Sequence, residues 1–182
     1  TQRGYIKRMS VSTYRAQRRG GKGVTGMGTR DDDIVQTLFV THSHNHLLFF
    51  SNKGKVYRLK AYEAPELGRT AKGTPVINLI QIEQGERINA VIPVKEFTDD
   101  QYLFFCTTLG IVKKTSLSEF DSIRRNGLFA INLRNDDELV GVHLTDGEQE
   151  IIIGTRLGMS IRFHETDVRF MGRSATGVKG IT

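Results

Sequence analysis

The residues with the most pointed chemistry are Gln17-Arg18-Arg19-Gly20-Gly21-Lys22-Gly23. Arginine forks grip phosphate oxygens at two points, and lysine adds a mobile point charge. Glycines let the main chain turn tightly and bring its own N–H groups close to an anion. The set suits a phosphate backbone, whose contacts position a nucleic acid without reading its sequence. A nucleotide-binding P-loop does not fit. Gly23 follows Lys22 where Ser or Thr is required, and Ala16 stands where the first glycine should be. No segment has the form of a base-reading helix or of a stacking platform for single strands.

Other chemistry-bearing residues give less. His42, His44 and His46 alternate as metal ligands on a strand face would. They occupy the same inter-strand turn as Thr98-Asp99-Asp100-Gln101 and Thr145-Asp146-Gly147-Glu148, so a solvated hairpin tip is expected and no metal. Asp31-Asp32-Asp33 lacks the nucleophile or base that magnesium-dependent phosphoryl chemistry needs, and Glu148 and Glu150 read as solvated too. Cys106 lies in the apolar run Tyr102-Leu103-Phe104-Phe105-Cys106 and reads as a small buried hydrophobe. No paired carboxylates and no Ser/His/Asp arrangement can be assembled, so no catalytic residue and no cofactor are expected in this chain.

Composition narrows the partners. Among 182 residues, 38% are hydrophobic and 25% charged, as in a globular protein and unlike a disordered tail. The net charge is +6 and the isoelectric point about 9.6, which favours polyanions. The charge is concentrated: residues 1–30 hold Arg3, Lys7, Arg8, Arg15, Arg18, Arg19, Lys22 and Arg30 with no Asp or Glu. A single cysteine precludes a disulfide within the chain and fits a reducing compartment. No apolar stretch approaches the ~20 residues of a membrane helix, so a cytoplasmic protein with no membrane partner is expected.

The elements that position the basic residues recur. Leu47-Leu48-Phe49-Phe50, Leu103-Phe104-Phe105 and Ile151-Ile152-Ile153 each run into a glycine turn and then a second apolar strand. Thr1-Gln2-Arg3-Gly4 before Tyr5-Ile6-Lys7-Arg8 is the same hairpin without its first strand. The hinge glycines are Gly4, Gly54, Gly110 and Gly158, at spacings of 50, 56 and 48 residues. Such periods predict propeller blades of four strands, with a further strand near residues 37–42, 88–94 and 138–143.

Two basic series keep step with the hinges. Arg8, Arg58, Lys114 and Arg162 follow by four residues, and Arg19, Arg69, Arg125 and Arg173 by fifteen. The second series falls in loops at 17–23, 67–73, 123–129 and 171–177. Stacked radially, both series would form a cationic belt. The chain begins inside one hairpin and stops after the fourth basic loop, so about three complete blades and a partial one are expected, with further blades beyond it.

The uninterrupted heptad at 17–23, with Tyr5-Ile6-Lys7-Arg8 before it and Val24-Thr25-Gly26 after it, resembles the C-terminal domain family of DNA gyrase A, part of a bacterial type II topoisomerase. The later loops resemble degenerate copies. One keeps Arg69, Lys72 and Gly73, the next Arg124, Arg125 and Gly127, and the last Arg173 and Gly177. The resemblance covers essentially the whole chain. It implies an all-β, six-bladed β-pinwheel whose neighbouring blades exchange strands, with duplex DNA wrapped on its rim. It also implies that the other domains of gyrase A, together with gyrase B, supply cleavage, ATP and magnesium. Two other readings are the DNA-bending domain of topoisomerase IV and a protein-binding propeller. An enzyme with its site in a central channel is the remotest.

Overall fold

The computed structural model describes residues 1–14, 17–29 and 32–182. Arg15, Ala16, Arg30 and Asp31 lie outside the described residues. The strands are β1 (Tyr5–Ile6), β2 (His46–Ser51), β3 (Lys55–Lys60), β4 (Thr74–Pro75), β5 (Ile88–Val94) and β6 (Tyr102–Thr107). They continue with β7 (Ile111–Ser116), β8 (Leu128–Phe129), β9 (Leu139–Thr145), β10 (Glu150–Gly154), β11 (Ser160–His164) and β12 (Val178–Lys179). The only helical pieces among the described residues are 3-10 turns such as Ala61–Glu63, Leu117–Phe120 and Glu165–Asp167.

Each hairpin is closed by one device used four times. The amides of Gly4, Gly54, Gly110 and Gly158 donate to the carbonyls of Thr1, Ser51, Thr107 and Thr155 at 3.0–3.1 Å. The hydroxyl of that same Ser or Thr accepts the amide following the glycine, at 3.1–3.3 Å. All four glycines have φ between 72° and 84°, the left-handed region in which a Cβ is penalised. The sequence signal is Ser/Thr three residues before the hinge, a finer mark than the glycine alone.

The sheets are antiparallel, in the orders β5-β2-β3-β8 and β12-β7-β6-β9, with two-stranded β1-β4 and β10-β11 on either side. In each complete sheet the fourth strand comes from the following repeat: β8 pairs with β3, and β12 with β7. The pairing of β4 with β1 repeats this exchange. Three periods of sequence therefore give two complete sheets, because every sheet needs a strand from one repeat further on.

Strands β2 and β6 are continuously apolar because neither of their faces meets water. Leu48 and Phe50 pack with Leu103, Phe105, Phe120 and Val142 between the two large sheets, whereas Leu47 and Phe49 pack the opposite face with Val76 and Ile80. Phe104 turns away towards Val112 and Val168. The ring centroids of Phe50 and Phe105 are 5.8 Å apart, edge to face.

The strand expected at 88–94 is β5, and that near 138–143 is β9, shifted slightly to Leu139–Thr145. Residues 37–42 form no strand, which corrects the third expectation. β5 and β9 pair with the leading strand of their own hairpin, β2 and β6. Among the described residues no strand pairs with 37–42, and Leu38 and Val40 are each 76% exposed.

Candidate nucleic-acid interface

Each hairpin leads through a short turn into a basic loop, and every loop contains a β-turn in the same register. The amides of Gly21, Ala71, Gly127 and Ala175 donate to the carbonyls of Arg18, Gly68, Arg124 and Gly172 at 3.0–3.1 Å. The second position of these turns holds Arg19, Arg69, Arg125 and Arg173, so the arginines fifteen residues past each hinge are brought to one structural place. Arg19, Arg69 and Arg125 are exposed; Arg173 is half-buried, its amide donating to the Glu119 carboxylate at 3.1 Å. Among the described residues, Arg18, Arg19, Lys22, Arg69, Arg124 and Arg125 make no salt bridge.

In the first loop the Gln17 side chain binds the ends together, its Oε1 accepting the Gly23 amide at 2.9 Å. A Cβ on Gly21 would stand 2.5 Å from that same oxygen, so the glutamine and the glycine are parts of one closure. Gly20 takes φ 83° at the third place of the turn. Arg18, Arg19 and Lys22 are all exposed on this closed loop.

The series four residues past each hinge behaves differently, and three of its members are engaged by the neighbouring repeat. Arg8 donates to the Ala64 carbonyl and to Glu66 at 2.6 Å. Arg58 donates to the Asp121 carbonyl and lies over the Phe97 ring. Lys114 is 7% exposed and donates to the Glu165 carbonyl at 2.9 Å. These three reach forward into the next repeat and stitch it to their own. Arg162 is exposed and pairs across its own hairpin with Glu150 at 3.4 Å. Lys72 is half-buried, its Nζ 4.5 Å from the Tyr5 ring centroid.

The two series should separate on mutation. Arg125→Ala should lower the slope of log affinity against log salt by about 1 and leave stability unchanged. Arg58→Ala should leave the slope unchanged and destabilise by about 1 kcal/mol. Urea unfolding and a salt titration of DNA affinity read both.

The third loop is shorter than the span 123–129 implies. After the turn, Lys22-Gly23, Lys72-Gly73 and Thr176-Gly177 extend the other loops, whereas Leu128 and Phe129 enter β8 at once and pair with Val56 and Lys55. The closing glycines are held by contact. A Cβ on Gly73 would meet the Ile6 carbonyl at 2.8 Å, and one on Gly177 the Val112 carbonyl at 2.5 Å.

Buried groups that the sequence does not mark brace these loops. Lys113 is wholly buried on β7, with its ammonium on carbonyls of other segments. Burial pushes it down to about 7, with Arg173 adding to the effect and Glu119 opposing it. The unfolded chain holds that proton up to about pH 10.4. Between the two values the unfolded state binds a proton that the folded state lacks, so stability rises with pH, by at most about 1.4 kcal/mol per unit. Unfolding midpoints should climb between about pH 7 and 9, and Lys113→Met should remove that component. Glu86 braces the second hairpin. Burial opposes its ionisation, but donors from Tyr57, the Glu83 amide and Ser51 hold its carboxyl below the usual range.

The remaining candidates stay dispersed. His46 Nε2 lies 2.9 Å from Lys60 Nζ, and burial together with Lys60 and Arg58 pushes its imidazole down. His44 meets the Tyr62 ring edge-on. Asp32 pairs with Arg3, and Asp33 accepts the Arg3 amide at 3.0 Å. Among the described residues no group of three His, Cys, Asp or Glu could hold a metal ion, and no helix is long and apolar enough to cross a membrane. Burial pushes the Cys106 thiol up, away from nucleophile chemistry.

The family model described as DNA gyrase C-terminal domain, beta-propeller, matches residues 1–42, 45–95, 101–146 and 149–182. DNA gyrase A of Halalkalibacterium halodurans is 68% identical over 182 residues, all of this chain and 22% of that protein. DNA gyrase A of Clostridium acetobutylicum is 54% identical over 180 residues, 99% of this chain and again 22% of the relative. The chain thus spans about a fifth of the length of these relatives. The crystal structure of the C-terminal domain of DNA topoisomerase IV superposes with a TM-score of 0.84 at 34% identity, covering 100% of this chain and 55% of that one. A DNA gyrase A C-terminal domain superposes at 0.69 over 100% of this chain and 58% of that one; its 24% identity makes it a likeness of fold.

Proposed function

The chain belongs to the DNA gyrase C-terminal domain family, and from that premise we propose that it binds duplex DNA without regard to sequence and wraps it along a rim of arginine-tipped turns. The observation that carries this reading is the common turn position of Arg19, Arg69, Arg125 and Arg173, three of them exposed and, among the described residues, without a carboxylate partner. Smooth bending of a short duplex costs roughly 1–6 kcal/mol. Repeated phosphate contacts, each releasing counterions, offset that cost. Strain of this kind is best held by contacts spaced along the path, which is what one turn per repeat provides.

In the parent protein this role would be non-catalytic. Other domains of gyrase A, with gyrase B, would cut and pass the duplex using ATP and magnesium. A wrap of fixed hand would bias passage towards negative supercoils, in the cytoplasm. The similarity to a topoisomerase IV C-terminal domain favours a second reading, in which the rim bends DNA without fixing the hand of a crossing. The intact heptad at 17–23 supports wrapping.

The test is affinity for duplexes of unrelated sequence across a salt series. Equal affinities with a steep, linear loss in log salt are expected. Weak binding indifferent to salt would contradict the proposal and favour a protein-binding propeller.

A further inference from the structure

We infer that Lys7 and Lys113 are positioning residues of the rim, each gathering the backbone carbonyls of the next repeat's basic turn and so fixing the direction of that turn's arginine. The inference rests on the DNA-binding reading above. Lys7 Nζ donates to the carbonyls of Gly68, Arg69 and Ala71 at 2.9, 2.7 and 2.9 Å. Lys113 Nζ donates to those of Gly172 and Arg173 at 3.2 and 2.8 Å, and to that of Ala130. The two lysines stand at the same place, three residues past a hinge glycine. They take the carbonyls of the first and second turn positions, Gly68 and Arg69 in one loop and Gly172 and Arg173 in the other. Sequence separations of 59 to 64 residues exclude a local accident of the chain.

Three acceptors saturate the three donors of an ammonium. The negative ends of the turn's peptide dipoles are thereby drawn to one cation within the protein, away from an incoming phosphate. The main chain beneath Arg69 or Arg173 is fixed before DNA arrives, so less freedom is lost on binding. The third loop supplies an internal contrast. Its preceding strand carries Tyr57 where the others carry lysine, and the phenol donates to Glu86 at 2.6 Å instead. The Tyr57 ring fills the space against Gly127, with which a Cβ would collide at 2.6 Å, and this is the loop without the two-residue extension. Lysine accompanies the extended loop and tyrosine the shortened one.

The test is a set of double-mutant cycles on the whole chain, read as affinity for one duplex well below pH 7, where Lys113 keeps its proton. Lys7→Met should weaken binding about fivefold alone and in the Arg125→Ala background, but hardly at all once Arg69 is alanine. Lys113→Met should likewise be silent only in the Arg173→Ala background. Equal losses in every background would show a lysine acting through bulk charge or general stability, and would overturn the inference. If Lys113→Met fails to fold, the Lys7 pair decides, because Lys7 is only half-buried; unfolding of Lys7→Met as well would make these lysines structural and overturn it too. Failure of the unmutated chain to bind DNA would instead remove the DNA-binding reading, a distinct outcome.

Discussion

Changing Arg18, Arg19 and Lys22 together to alanine should reduce affinity for duplex DNA about a hundredfold at moderate salt. The same change should flatten the salt dependence by as much as about 2.7, since each phosphate contact contributes about 0.9. These side chains are exposed, and the loop is closed by Gln17 and the glycines, so the fold should not notice their loss. The unfolding midpoint is expected to stay where it is. Fluorescence anisotropy over a range of salt, with urea unfolding beside it, checks both halves. An unchanged slope would mean that the heptad does not touch phosphate. A large drop in stability would mean that its arginines brace the fold as Arg8 and Arg58 do.

The second large effect is on stability. Glu165→Ala should cost about 3–5 kcal/mol. Its carboxylate is fully buried and accepts the Thr145 hydroxyl at 2.8 Å, the Gly147 amide at 2.9 Å and the Gln149 amide at 2.8 Å. Lys114 of the preceding repeat lies 4.0 Å from it. Truncation would strand two amides and the Thr145 hydroxyl and take the counter-charge from the buried Lys114 ammonium, and each loss bears its own desolvation penalty. Glu165→Gln keeps an acceptor and should fall between. Urea unfolding reads the difference, and a cost below about 1 kcal/mol would show that the repeats are not joined through this carboxylate.

These expectations differ in how far the sequence foretells them. The hinges are legible because a backbone in the left-handed region selects glycine, and β2 and β6 because a strand covered on both faces must be apolar throughout. The arginine series is legible because the segments from hinge glycine to turn are equal in length and so repeat their register. Its partner series is equally periodic, yet Arg8, Arg58 and Lys114 point into the neighbouring repeat. Periodicity reports that a position recurs, not which way its side chain faces. The exchanged strands β4, β8 and β12 are two residues long, too short for any alternation to show. Residues 37–42 carry a strand-like pattern, but a strand needs a partner, and pairing is a property of the sheet. Lys113 was hidden for the opposite reason. A lysine in Ile111-Val112-Lys113-Lys114 reads as a solvent-facing position until the carbonyls that surround it are seen.

A chain that wraps duplex DNA with a fixed hand through its basic loops must change the linking number of DNA closed around it. Ligating nicked circular DNA in its presence, and then resolving the topoisomers, tests this most directly. A shift in linking number is expected that grows with protein and vanishes when Arg18, Arg19 and Lys22 are alanine. Tight, salt-dependent binding with no shift in linking number would contradict wrapping by this chain and leave bending of the topoisomerase IV kind.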